Sequence, residues 1–128
     1  MGRLATVRHL IDSAEHPIQA MERVLDFLSV EIHSLLWVGI YLVTDRRLEP
    51  GPWRGTQANG ATGGRELALR AAFSGSVQQE GEVLAIPVLS QNEVRAVLAL
   101  RSAQPEKDFS ATPQELLSAV AALLEPLV

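Results

Sequence analysis

A chain of 128 residues with 47% hydrophobic and 20% charged residues has the size and balance of one globular domain, which excludes intrinsic disorder. Its formal net charge of -4 and its scattered acidic residues exclude a basic stripe, so we predict no nucleic-acid partner. Cysteine is missing from the sequence, which rules out disulfides, thiolate metal sites and a cysteine nucleophile.

Helices are predicted at both ends of the chain. Apolar residues recur at helical spacing from Leu4 to Ala14, and Pro17 can open a second helix that runs through about residue 33. The second helix carries one continuous apolar stripe, which has to face a core or a partner. The C-terminal helix is predicted to start at Thr112 as N-cap, with Pro113 in its first position.

Strands are predicted between these helices. The stretch LLWVGIYLVT at 35–44 is rich in β-branched and aromatic residues and is closed by the turn DRR, so it is the strongest strand signal. Residues 48–55 return antiparallel as an edge or bulged strand, because their prolines cannot donate to the ladder. A short helix at 65–73 precedes a second hairpin, EVLAIPVLS and VRAVLALRS, whose second strand is expected to be buried on both faces.

This order predicts an α+β fold, with a central antiparallel sheet and the N- and C-terminal helices packed together on one face. We divide one domain, 1–128, into N-terminal helices (1–34), the sheet with its pocket loops (35–111) and a C-terminal helix (112–128). No run reaches the ~18 apolar residues of a membrane span, so we expect a cytoplasmic protein with no membrane partner.

The strand WVGIYLV, followed by LEPGPWRG and later by AIPVLSQNEVRAVLALRS, resembles a GAF domain. More narrowly, it is similar to the free methionine-(R)-sulfoxide reductases, which carry a Trp-Val-Gly-Phe-Tyr strand and then Gly-Pro-Phe-Gln-Gly. The segments 37–41 and 51–55 stand in the same order here, and the resemblance runs from about Leu25 to the C-terminus. The resemblance implies a GAF-like fold with a ligand pocket beside the glycine-rich loop at 51–64.

The residues that carry the chemistry in that family do not carry over to this chain. Asn59 stands where the resemblance places one family cysteine, and Ala68 stands at a second. Val83 takes the place of a family glutamate, although Glu82 is adjacent to it. Sulfoxide reduction by that route needs one thiolate to attack sulfur and a second thiol to resolve the product. The sequence therefore resembles the reductases without their reactive groups.

Six residues are predicted as ligand contacts of the pocket: Trp53, Arg54, Asn59, Tyr41, Trp37 and Glu82. The three aromatic rings can form a wall for a small amphiphile. Trp37 and Tyr41 are four apart in one strand and share a face, so packing in the core is the alternative. Arg54, next to Trp53 in sequence, is a candidate for holding a carboxylate.

No catalytic residue, metal site or cofactor is predicted. The serines lack a Gly-X-Ser-X-Gly setting, and His9 and His16 have no ordered carboxylate partner. The segment NGATGG precedes a helix and can attract an anion, but it has no lysine and lacks phosphate-loop spacing, so a turn is favoured.

Two functions stay open at this point. The first is a non-catalytic GAF-like domain for small-molecule sensing or protein interaction, assembled as a homodimer through its terminal helices. The alternative is an enzyme of the free methionine-(R)-sulfoxide reductase type, or another activity in the same pocket. A small-molecule ligand is the partner that both interpretations share.

Overall fold

The structure, a computed structural model, describes residues 2–55 and 61–128, and within these the side chains of all but residues 61–63. Two helices lead the chain, α1 (Arg3–Asp12) and α2 (Pro17–Glu31), followed by β1 (Leu35–Thr44) and β2 (Arg47–Gly55). Next come α3 (Ala61–Ser74), β3 (Gln78–Glu80), β4 (Val83–Ser90) and β5 (Glu93–Ser102). The chain ends with α4 (Pro105–Asp108), α5 (Ala111–Leu123) and a 3-10 turn, Glu125–Leu127.

The strands form one five-stranded antiparallel sheet in the order β2-β1-β5-β4-β3. β5 lies at the centre, and every residue from Ala96 to Leu100 is fully buried, as its sequence predicts. Two-residue turns close the β1–β2 and β4–β5 hairpins, with both residues of each turn at positive φ. The predicted α+β class with a central antiparallel sheet is confirmed.

The helices α1, α2 and α5 pack on one face of the sheet, here called the helix face. Its core is almost entirely aliphatic, and it joins Val7 of α1, Leu25 of α2 and Leu117 of α5 to Leu98 and Leu100 of the central strand. The apolar stripes of the terminal helices are thus buried within the chain, and α1 contacts α5 as predicted. In the described part of the chain no helix is long and apolar enough to cross a membrane.

The opposite face of the sheet is covered by α3 and is here called the α3 face. Its core combines small residues with aromatic ones. Ala68 and Ala71 of α3 meet Ala85 of β4 and Ala99 of β5, all fully buried. Small side chains on both surfaces let the helix lie close to the strands. The two faces of one sheet therefore have different cores.

Helix boundaries are where the sequence prediction departs from the structure. The last helix begins at Ala111 with Ser110 as N-cap in extended geometry, so the predicted N-cap at Thr112 is wrong. Pro113 is tolerated inside the first turn because the first four N–H groups of a helix lack intrahelical partners. His16 caps α2 through Nδ1, which accepts the backbone N–H of Gln19 at 3.2 Å, and no prediction gave His16 that role.

Candidate functional site

Trp37, Tyr41 and Trp53 form a cluster on the α3 face, here called the aromatic cluster. The rings of Trp37 and Trp53 are stacked, with centroids 4.8 Å apart and planes 27° apart. Tyr41 meets Trp53 edge-on, with a centroid distance of 5.8 Å and an angle of 76°. Both arrangements are those that ring quadrupoles favour. Trp37 and Tyr41 are 2% and 1% exposed, and Trp53 is half-buried.

The register of β1 and β2 assembles this cluster. Trp37, Gly39 and Tyr41 alternate onto the same face of β1, and Trp53 of β2 pairs directly with Gly39. A Cβ atom on Gly39 would lie 2.0 Å from Cε3 of Trp53, a distance that no real pair of carbons adopts. Only glycine at position 39 therefore lets the indole of Trp53 lie across β1 between the other two rings.

A second glycine brings α3 onto the cluster. A Cβ atom on Gly64 would lie 2.6 Å from Cη2 of Trp37, so the backbone of the first turns of α3 rests directly on that indole. Leu67 and Ala68 follow in the same helix and are buried in the same core. The cluster is thus held between two strands and a helix, which fixes the orientation of its rings.

Two polar atoms of the cluster are buried without a hydrogen-bond partner. They are the Nε1 atoms of Trp37 and Trp53, and no other buried side-chain nitrogen or oxygen in residues 2–55 and 64–128 lacks a partner. Leaving a buried donor unpaired costs about 1–3 kcal/mol, and buried donors in native proteins are nearly always paired with protein, water or ligand. Both indole N–H groups of the cluster are therefore buried donors without an acceptor in the described residues.

Tyr41 is a neutral phenol at neutral pH. Burial raises the pKa of Tyr41 above its ordinary value of 10.0, and the positive charge of Arg65 opposes that rise. Arg65 itself donates from Nη1 to the carbonyl oxygen of Leu48 at 3.0 Å, which fastens α3 to β2 beside the tyrosine. The aromatic cluster therefore carries no charge of its own.

The structure does not bring Arg54 into the aromatic cluster. Arg54 pairs with Val38, whose side chain belongs to the helix face, and strand alternation sends Arg54 and Trp53 to opposite faces. Its Nε atom donates to Asp26 at 2.7 Å, and Nη2 lies 3.7 Å from Glu22. The hydrogen bond with Asp26 is the main reason that the pKa of Arg54 is raised. Arg54 does hold carboxylates, but they are those of α2.

Glu82 lies in the turn before β4, at the end of the sheet where Trp37 sits. Its Oε2 atom accepts a hydrogen bond from Nε of Arg101 at 3.0 Å. Arg101 pairs across the ladder with Trp37 on one side and Val83 on the other, so its side chain shares the α3 face with the aromatic cluster. The predicted ligand contact Asn59 lies outside the described residues.

The groups present at this site are aromatic rings, indole N–H groups and one ion pair. The described residues include no group of three His, Asp or Glu side chains placed to hold a metal ion. The rings of Trp37 and Tyr41 are buried and that of Trp53 is partly exposed, and the Arg101–Glu82 ion pair lies on the same face of the sheet. Sequence reasoning found the three rings but missed Gly39, although a glycine between two aromatic residues of one strand face signals close approach of another side chain.

No family model and no curated protein matches the chain. Solved structures do match it over almost its whole length. The free methionine-R-sulfoxide reductase (fRMsr) of Staphylococcus aureus in its reduced form superposes with a TM-score of 0.80 at 18% identity, covering 97% of this chain and 91% of that one. The GAF domain of an Acinetobacter phosphoenolpyruvate-protein phosphotransferase gives a TM-score of 0.79 at 18% identity, covering 99% and 93%.

The chain has the GAF fold. A third similar structure is the type II free methionine-R-sulfoxide reductase of Thermoplasma acidophilum, with a TM-score of 0.76, 18% identity and 94% of each chain covered. The S. aureus enzyme has also been solved in complex with its substrate. Identities this low concern the fold, so the GAF-like fold that the sequence motifs implied is confirmed, and these likenesses do not extend to activity.

Proposed function

We propose that this GAF-fold chain is a non-catalytic binding module whose aromatic cluster holds a small molecule that accepts hydrogen bonds. The observation that carries the proposal is the pair of buried indole N–H groups on Trp37 and Trp53, which have no acceptor within the described residues. The substrate complex of the S. aureus reductase, which shares the fold, supports a ligand-binding role for such a domain.

The geometry favours one class of ligand. Stacked indoles offer a broad apolar surface, while two neutral donors suit an oxygen acceptor such as a carboxylate, an amide carbonyl or a sulfoxide. Tyr41 and the two tryptophans add no formal charge. We therefore expect a small molecule that combines an apolar group with one strong acceptor, such as an amino acid or a derivative of one.

Intrinsic fluorescence tests this proposal directly, because the two tryptophans of the chain are both in the aromatic cluster. Titration with amino acids, their sulfoxides, nucleotides and small acids is expected to give a saturable change for at least one compound. Trp53→Phe, which keeps a ring but removes one N–H donor, is expected to weaken that ligand about tenfold. A panel without any saturable response contradicts the proposal.

The enzyme alternative is separated by a turnover assay. Free methionine sulfoxide with a thioredoxin-type reductant is expected to show no turnover, because the chain has no thiol to attack sulfur or to resolve the product. A sustained rate that is lost in Trp53→Phe establishes the alternative, since that variant alters the aromatic cluster and leaves the reductant unaffected.

We also propose a homodimer through the terminal helices. The apolar stripes of α2 and α5 are buried against the sheet, so support comes from the apolar residues still exposed there, Leu4, Ile18 and Val30. Light scattering after size-exclusion chromatography is expected to give twice the chain mass, and Val30→Glu to shift the chain toward monomer. Phe73→Glu, at an even more exposed apolar site on α3, is the control. A wild-type chain that runs as a monomer contradicts this part.

A further inference from the structure

A cavity lies on the α3 face, between the tip of the β1–β2 hairpin and the C-terminal half of α3. It has a volume of about 340 Å³, within the range of roughly 300–1,000 Å³ that small-molecule sites occupy. Tyr41 is two residues from Val43 in β1, so the cavity lies beyond that end of the aromatic cluster, and the residues that line it include none of the three rings. The cavity is here called the hairpin groove.

The hairpin groove has an apolar lining, contributed by Val43, Leu48, Leu69 and Ala72. Phe73 stands at its edge and is 89% exposed, the most exposed large apolar side chain of the described residues. A phenyl ring in water beside an apolar hollow is the kind of surface that a ligand covers on binding. The groove can therefore take up an apolar chain and shield Phe73 at the same time.

The open end of the hairpin groove is positively charged. Arg46 and Arg47 both line it, and within the part of the chain that the structure describes neither forms an ion pair or a side-chain hydrogen bond. Five other arginines do pair with carboxylates: Arg3, Arg54, Arg70, Arg95 and Arg101. A planar guanidinium matches a carboxylate through two parallel hydrogen bonds. The groove thus joins apolar lining to unpaired cationic groups.

The backbone at Arg46 adds an independent argument. Its φ is +63°, in the left-handed region that favours glycine or asparagine. The matching position of the β4–β5 turn, at φ +68°, is Asn92, which tolerates that region better. The turn geometry by itself therefore favours glycine or asparagine at position 46 and gives no backbone reason for an arginine there.

We propose that the hairpin groove binds a small amphiphilic carboxylate, with the carboxylate on Arg46 and the apolar chain against Leu48, Leu69 and Phe73. Arg47 adds positive charge at the same end. This site is separate from the aromatic cluster and does not rest on the function proposed for it. The occupant is a small molecule because the groove is concave and of ligand size, and it is an anion because the unpaired groups at its mouth are cations.

Isothermal titration with octanoate, below its micellar concentration, tests the proposal. Wild-type protein is expected to bind octanoate with a millimolar Kd. It is expected to bind acetate and 1-octanol much more weakly, because acetate lacks the apolar chain and 1-octanol lacks the carboxylate. Arg46→Gly is expected to weaken octanoate about tenfold or more, and Arg47→Ala about threefold. Asn92→Gly, at the matching position of the other hairpin, is the control and leaves the Kd unchanged.

Two further readouts separate binding from structure. Arg46→Gly is expected to raise Tm by a few degrees while it weakens octanoate, because glycine relieves the left-handed backbone and the lost guanidinium removes the carboxylate contact. Trp53→Phe leaves octanoate affinity unchanged if the site is the hairpin groove. The proposal is overturned by a wild-type chain that does not bind octanoate, by an Arg46→Gly Kd within twofold of wild type, or by octanol binding as tightly as octanoate.

Discussion

The two faces of the sheet differ in how completely their buried polar groups are satisfied. On the helix-face side the buried polar residues are Ser102 and Asp108, and the Ser102 hydroxyl donates to the Asp108 carboxylate at 2.5 Å. The Ser102 oxygen also accepts the backbone N–H of Gln104 at 2.9 Å. On the α3 face, the indole N–H groups of Trp37 and Trp53 are buried without partners within the described chain.

If the α3 face binds the proposed ligand, the two faces contribute differently to stability and to binding. A core of aliphatic side chains with every buried polar group paired is what a stable fold requires. A buried donor without a partner lowers stability, and proteins keep such groups where they serve a function. We therefore expect substitutions on the helix face to change the free energy of unfolding most, and substitutions on the α3 face to change binding most.

The largest effect is expected from Leu100→Ala. Leu100 is fully buried in the central strand on the helix face, so its truncation leaves a cavity and lowers the free energy of unfolding by about 4 kcal/mol. Urea denaturation measures the change. Leu89→Ala, at a site 45% exposed, is the control and is expected to cost about 1 kcal/mol or less. Equal losses in the two variants contradict the assignment of stability to the helix face.

Gly39→Ala is expected to come next, with a loss of about 2 kcal/mol from overpacking. The added methyl collides with the Trp53 ring, whereas Gly2→Ala meets nothing within 4 Å and serves as control. Adding Trp53→Leu removes the collision, so the double variant is expected to be more stable than the sum of the two single losses predicts. Additive losses in this cycle indicate that Gly39 is required for some other reason.

Trp53→Phe is expected to change the free energy of unfolding by about 1 kcal/mol or less, since removal of an unpaired buried N–H offsets part of the lost apolar contact. Chemical denaturation followed by circular dichroism measures this, because the variant loses half of the tryptophan signal. A loss comparable with that of Leu100→Ala means that the aromatic cluster is mainly structural, and the contrast between the faces fails.

The smallest effect concerns Tyr41 at high pH. Because the pKa of Tyr41 is raised in the folded chain, the unfolded chain loses this proton at a lower pH. The contribution of the neutral Tyr41 phenol to the free energy of unfolding is fully present below the unfolded pKa of 10.0. It is lost as the pH rises through the pKa of the folded chain. Ultraviolet absorbance of tyrosinate measures the pKa of Tyr41 in the folded and in the unfolded chain, since Tyr41 is the one tyrosine of the sequence. The same titration midpoint for the folded chain in buffer and for the unfolded chain in urea contradicts the burial of Tyr41.

Much of the fold could be predicted because its signals are local. The predicted first strand at 35–44 has the bounds of β1, since the run is rich in β-branched and aromatic residues and a turn follows it directly. The N-cap of α5 could not be predicted as well, because Ser110 and Thr112 are both good caps and the preceding turn, α4, decides between them. Where two nearby residues both favour the N-cap position, contacts outside the helix decide at which of them the helix begins.

The candidate site was predicted in part. Trp37 and Tyr41 were placed on one face by the period of a strand, and they lie there. Arg54 and Glu82 were grouped with them by sequence proximity and family resemblance, yet their charges are paired with Asp26 and Arg101. Salt bridges between distant segments have no local signature, so the sequence could not show which carboxylate or guanidinium each of these side chains meets.

The sequence by itself determined which reactive groups the chain has and which segments form helices and strands. A chain without cysteine has no thiol step, and the periods of its apolar residues define helices and strands that can only pack as an α+β fold. The tertiary structure alone decided that Trp53 crosses Gly39 and that Arg46 meets α3 at the hairpin groove. Those contacts depend on cross-strand register and on helix docking, which are set by packing between distant segments and are encoded in no local period.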